Sequence, residues 1–128
     1  MLLKFDEYPD SCPPGNAIKF EGTFYRLCKG NPFCKEDFLT HFEAGFNFPS
    51  SKLCEAMALS FYDSYAHAES LKNQYRKKFK DHSIIPVKII EKYGVGILEE
   101  KKGHLNLWEN RNVDIFSDLI KEGGDKDG

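Results

Sequence analysis

Met57-Ala58-Leu59-Ser60-Phe61-Tyr62-Asp63-Ser64 decides how this chain is read, because five apolar or aromatic residues and one hydroxyl run straight into a pair of side-chain oxygens. A run this short, with aromatics in it, suits a buried strand, and Asp63-Ser64 can cap the start of a helix. Alternation sets Leu59 and Phe61 on one face and Ala58, Ser60 and Tyr62 on the other. Ser60 therefore faces the same way as a phenol. Beyond it, Ala68, Leu71, Tyr75 and Phe79 recur at steps of three, four and four, which predicts an amphipathic helix.

Upstream, Phe24 to Cys28 reads as a strand with Phe24, Arg26 and Cys28 on one face and Tyr25 and Leu27 on the other. An arginine placed between such residues either reaches water or an acid at a sheet edge, or presents its planar fork of donors to a phosphate or carboxylate. Cys34 to Ala44 predicts one helix, with Phe38 and Phe42 on a common face, His41 and Glu43 near its end and Gly45 to stop it. Ser51 can cap a short helix reaching Glu55.

Downstream, Ser83 to Ile90 reads as a strand that Pro86 assigns to an edge or a bulge. Val95 to Glu100 and His104 to Trp108 are two further strands separated by Lys101-Lys102-Gly103. Alternation in the last one divides His104, Asn106 and Trp108 from Leu105 and Leu107, so one face is apolar and the other carries an imidazole, an amide and an indole. That polar face either lies over a neighbouring layer and water or lines a cleft. Val113, Phe116 and Ile120 have helical spacing, with a strand at 114–116 as the alternative.

These elements predict an α+β chain: a single domain with a small, mostly antiparallel sheet and two to four helices. An arm rich in Pro and Gly (1–16), the domain itself (17–122) and a flexible tail (123–128) complete the expected organisation. With 128 residues the chain has room for one core, and eleven Phe, six Tyr and one Trp make much of that core or of a ligand surface ring-lined.

A net charge of −2 offers no general attraction to nucleic acid. The basic window Lys72, Arg76, Lys77, Lys78 and Lys80 reads as a solvated helix face or as a phosphate-binding patch. No apolar run is long enough to span a bilayer, and the expectation is a cytoplasmic protein with no membrane partner. Cys12, Cys28, Cys34 and Cys54 lack a Cys-x-x-Cys spacing and are expected to be reduced thiols. His41, His67, His82 and His104 lack metal-ligand spacing, so no metal site is expected. Ser60 has no flanking glycines to make a nucleophile elbow, and no glycine-rich loop is placed to cradle phosphates.

Tyr25-Arg26-Leu27, Pro32, Asp37-Phe38, Glu43, Cys54, Leu59-Ser60, and His104 followed by Trp108 resemble the pattern of a family of small bacterial proteins whose function is not known. The likeness spans about residues 20–120 and departs near the end, where Leu105-Asn106-Leu107-Trp108 replaces a threonine-rich run with a doubled tryptophan. At greater distance the arrangement is similar to ADP-ribosyltransferase folds and RES-domain toxins. That resemblance implies NAD as cofactor, Arg26 on a dinucleotide phosphate, Ser60 near a ribose, and a later glutamate, for which Glu43, Glu99 and Glu100 are candidates.

The reading taken forward is a ligand-binding module, with an NAD-consuming transferase or toxin as its alternative, and enzymatic activity left open. Arg26, Ser60, Tyr62, His104, Asn106 and Trp108 are the expected ligand-binding residues. Ser60, His104 and Glu100 are the catalytic candidates. A small nucleotide or a protein is the expected partner.

Overall fold

The computed structural model describes residues 2–127, with side chains described as far as residue 122. Five antiparallel strands form one sheet: β1 (Gly22–Cys28), β2 (Leu59–Tyr62), β3 (Ser83–Ile89), β4 (Gly94–Glu99) and β5 (His104–Glu109), in the order β3-β1-β2-β5-β4. Pro86, whose missing N–H would break a central ladder, sits on the edge strand β3 opposite Tyr25. The opposite edge, β4, is partly covered by the chain around Ile18, which exchanges two backbone hydrogen bonds with Gly96.

The α-helices are α1 (His41–Ala44), α2 (Leu53–Ala56), α3 (Tyr65–Gln74), α4 (Arg76–Phe79) and α5 (Ile115–Asp127). The fold is α+β, as the hydrophobic pattern predicts, with one helix more than its upper bound of four. The extra one arises at Tyr75, whose φ of −121° and ψ of 58° leave the helical region and divide the helix expected from the Ala68, Leu71, Tyr75 and Phe79 stripe into α3 and α4. Ser64 caps α3 by accepting from the His67 N–H. α5 also settles the open choice at 113–120 in favour of a helix, and it continues through the expected tail at 123–128 as far as Asp127; Gly128 lies outside the described residues.

The expected helix over 34–44 is likewise divided, into a 3₁₀ turn (Lys35–Phe38) and α1. Thr40 restarts the chain: its Oγ1 accepts from Glu43 N–H at 3.1 Å while the Glu43 carboxylate accepts from Thr40 N–H at 3.0 Å. This reciprocal cap fixes a helix start inside the stretch and leaves the carbonyls before it without helical partners. Gly45, at φ 74°, then ends α1 in the left-handed conformation that glycine adopts without strain.

One sheet face carries Phe24, Cys28, Leu59, Phe61, Val87, Ile89, Leu105 and Leu107 into a core closed by Phe38 and Ile115. Each of these is buried. α3 lies on the other face, with Ala68 fully enclosed against β1 and β2. Helix, sheet and helix make three layers.

Two of the four cysteines differ from the expectation of reduced thiols. Cys12 and Cys54 form a disulfide that fastens the arm to α2, while Cys28 is buried and Cys34 exposed, both free. The arm is also held by Lys4, whose Nζ lies 3.0 Å from Glu43 and 3.5 Å from the buried Glu109. Spacing could not show the pairing, because it depends on the arm turning back through Pro13-Pro14 to a helix forty residues on. The bridge spans 42 residues of sequence, which by loop entropy stabilises the fold by about 4 kcal/mol. Urea unfolding with and without dithiothreitol is expected to show a loss of about 3–4 kcal/mol on reduction; equal midpoints would contradict it.

Candidate functional site

β1 and β2 register at Tyr25 and Tyr62, and their ladder goes no further toward Cys28 and Leu59. Two antiparallel strands that part in this way leave main-chain groups unpaired at the opening. Arg26 fills it. Nη1 donates to the Ser60 carbonyl at 2.7 Å, Nε to the Asp37 carbonyl at 2.8 Å and Nη2 to the Leu39 carbonyl at 3.5 Å. The last two belong to the stretch where the expected 34–44 helix is interrupted. Rings flank the guanidinium, with its central carbon 5.6 Å from the Phe38 centroid and 5.8 Å from that of Phe61.

Among the described residues no carboxylate hydrogen-bonds this guanidinium. Burial lowers its pKa, opposed by Cys28, Glu109 and Asp37. Asp37 gives Arg26 its backbone carbonyl but not its carboxylate, which accepts from the backbone N–H groups of Lys29, Gly30 and Cys34. These bonds outweigh burial and hold its pKa below the usual carboxylate value. Arg26 is thus satisfied by dipoles and keeps its net charge.

Over this opening lies a groove of about 690 Å³. Arg26, Ser60, Tyr62 and His104 lie along the sheet; His41 and Phe46 come from α1 and the loop after it; Tyr75, Lys78 and His82 come from the region of α3 and α4. The structure therefore brings together four of the residues singled out from sequence. Ser60 Oγ and His104 Nε2 are 3.0 Å apart, and the Tyr62 and His104 rings stack with centroids 5.2 Å apart at 19°. The β2–β5 register explains both contacts: Tyr62 is directly opposite His104, and Ser60, opposite Asn106, is its diagonal neighbour.

Asn106 and Trp108 are not among the groove residues. Trp108 is 2% exposed and donates its indole N–H to the Cys54 carbonyl at 2.9 Å. Alternation correctly gives it the His104 face, but four residues further along the strand that face is covered by α2. Glu43, Glu99 and Glu100 also lie outside the groove lining; Glu43 is taken by Lys4 and Thr40. Glu36, exposed, is the glutamate that lines it.

Lys29, His41, Tyr75, Lys78 and His82 line the groove without having been singled out from sequence as ligand-binding residues. A signal existed for Lys78, which belongs to the basic window. A smaller cavity of about 220 Å³ shares Leu39 with the groove and is lined by Lys4, Glu43 and Glu109. There, burial pushes the Glu109 carboxyl up, with Lys4 opposing it. No group of three or more His, Cys, Asp or Glu among the described residues is placed to hold a metal.

No family model matches the chain, and neither the curated proteins nor the solved structures contain a significant match to it. Its chemistry must be argued from the groove alone.

Burial lowers the pKa of His104, against weaker opposing effects of Glu99 and Glu55. It also lowers those of His41 and His82. All three are neutral at pH 7 and bind protons more readily in the unfolded chain. Between the ordinary histidine value near 6.5 and the lower folded values, the unfolded state takes up more protons, so stability falls as pH drops through that window. Chemical unfolding from pH 7.5 to 5 is expected to show this fall, and a shallower one in His104→Asn. An identical slope in the variant would contradict the assignment.

Proposed function

We propose that this protein is a binding module whose groove takes a small anionic, ring-bearing molecule of the nucleotide class. The observation that carries the reading is the half-buried Arg26 guanidinium, held by three carbonyls and hydrogen-bonded to no carboxylate among the described residues, in a groove that Lys29 and Lys78 also line. Positive charge in a partly desolvated cleft attracts phosphate or carboxylate more strongly than it would in open water. Phe46 and Tyr75, 59% and 49% exposed, add ring surfaces on which a base can stack.

The alternative is an NAD-consuming ADP-ribosyltransferase-like enzyme. One observation favours it: Arg26 and Ser60 meet where two strands part, and Glu36 lines the same groove. The candidate glutamates Glu43, Glu99 and Glu100 give it no support. As to setting, no helix among the described residues is long and apolar enough to cross a membrane. The Cys12–Cys54 bridge supports an oxidising compartment over the cytoplasmic one expected from sequence, since disulfides persist where thiols are not kept reduced.

Calorimetric titration with ADP and with NAD, at low and high salt, tests the reading. The expectation is micromolar binding that weakens with salt and falls roughly tenfold, about 1.4 kcal/mol, when Lys29 and Lys78 are both replaced by Ala. Neither ligand binding, or binding indifferent to both salt and the double replacement, would contradict it. Release of nicotinamide from NAD would select the enzyme.

A further inference from the structure

Within the groove, the Ser60 and His104 pair has the geometry of a nucleophile and its base. With Nδ1 carrying the imidazole proton, the Ser60 hydroxyl donates to His104 Nε2 across 3.0 Å, inside the range for proton transfer between positioned groups. Both side chains line the 690 Å³ groove, so the hydroxyl is within reach of a bound molecule. The ring is fixed by its stack on Tyr62, and among the described residues its nitrogens make no hydrogen bond other than the one to Ser60. The backbone of the serine is fixed too, because its carbonyl accepts from Arg26 Nη1 and its strand is paired with β5. A guanidinium has five N–H donors. Three serve carbonyls, which leaves one on each terminal nitrogen.

We propose that Ser60 is a nucleophile and His104 its general base in a dyad that cleaves phosphate esters bound in the groove, an assignment that rests on the anionic-ligand reading above. Ser60 Oγ attacks phosphorus as its proton passes to His104 Nε2. The phosphorus bond to the leaving oxygen breaks, and that oxygen takes the proton from the imidazolium. Water, giving a proton to the same nitrogen, then attacks phosphorus and displaces Oγ, which recovers a proton; phosphate is released and both side chains are restored.

The charged and titratable groups around His104 are Tyr62 on β2, Glu99 on β4, Glu55 on α2, Lys102 in the turn before β5, and Arg26 across the parted seam. Glu55 and Glu99 favour the imidazolium and Lys102 opposes it, while burial keeps the ring neutral. A neutral ring can accept the serine proton at pH 7.

The test is labelling of the intact protein with a fluorophosphonate between pH 5 and 8, read by whole-protein mass and peptide mapping. In this probe fluoride leaves phosphorus in place of an ester oxygen. The expected result is one adduct, on Ser60, formed faster as pH rises and slowed by saturating ADP. His104→Asn is expected to slow it about 100-fold or more, the usual worth of a positioned base, and Ser60→Ala to abolish it, with circular dichroism confirming that both variants fold. No adduct, an adduct elsewhere, labelling that ADP does not slow, or an equal rate in His104→Asn would overturn the dyad. Calorimetric titration with ADP and with NAD separates the two failures: either ligand bound with Ser60 unlabelled removes the dyad and leaves the module, whereas neither bound removes both.

Discussion

An antiparallel ladder that stops short leaves carbonyls facing a low-dielectric interior, and each one left unpaired costs about 1–3 kcal/mol. Here one guanidinium meets that cost at the place where β1 and β2 part, and from β1 it reaches two other chain segments at once, β2 at Ser60 and the interrupted stretch at Asp37 and Leu39. Enclosing a charge is itself expensive. Two aromatic faces and three oriented carbonyl dipoles offset the cost without cancelling the charge. The interaction that closes the seam is therefore also the one that places a positive charge in the groove, whose lining includes Glu36 and Asp37 as well as Lys29 and Lys78.

The rest of the groove follows from interruptions in helices. The Thr40–Glu43 cap breaks the 34–44 stretch, exposes the carbonyls that Arg26 takes, and sets His41 and Phe46 on one wall. The break at Tyr75 brings Lys78 and His82 to the other wall. Between them, the β2–β5 register delivers Ser60 and His104 to the floor as diagonal neighbours. The disulfide and the Lys4 ion pairs belong to a different task, holding the arm against α2 and β5.

The sheet was legible because its strands are short, turn-bounded and alternating, and because Pro86 marks an edge. Ser60, Tyr62 and His104 could be placed on polar faces by the same alternation. Their meeting could not, since it requires knowing that Tyr62 lies opposite His104. The partners of Arg26 are backbone carbonyls, which any residue supplies, so no sequence pattern announces them. Trp108 shares the His104 face, but alternation carries no information about which layer covers each end of a strand. Thr40-His41-Phe42-Glu43, by contrast, is a capping-box pattern that could have revealed the divided helix. The Cys12–Cys54 pairing depends on the path of the arm, which spacing does not encode.

The central claim is that one side chain joins the parted strands to the interrupted helix. Amide hydrogen exchange of the wild type and of Arg26→Gln tests it most directly. The account predicts a loss of about 1–3 kcal/mol in global stability for each carbonyl that the shorter side chain leaves without its donor. It also predicts that protection falls most in residues 35–46 and 59–62, while β4 and β5 lose no more than the global change requires. Unchanged stability, or protection lost evenly along the chain, would contradict it.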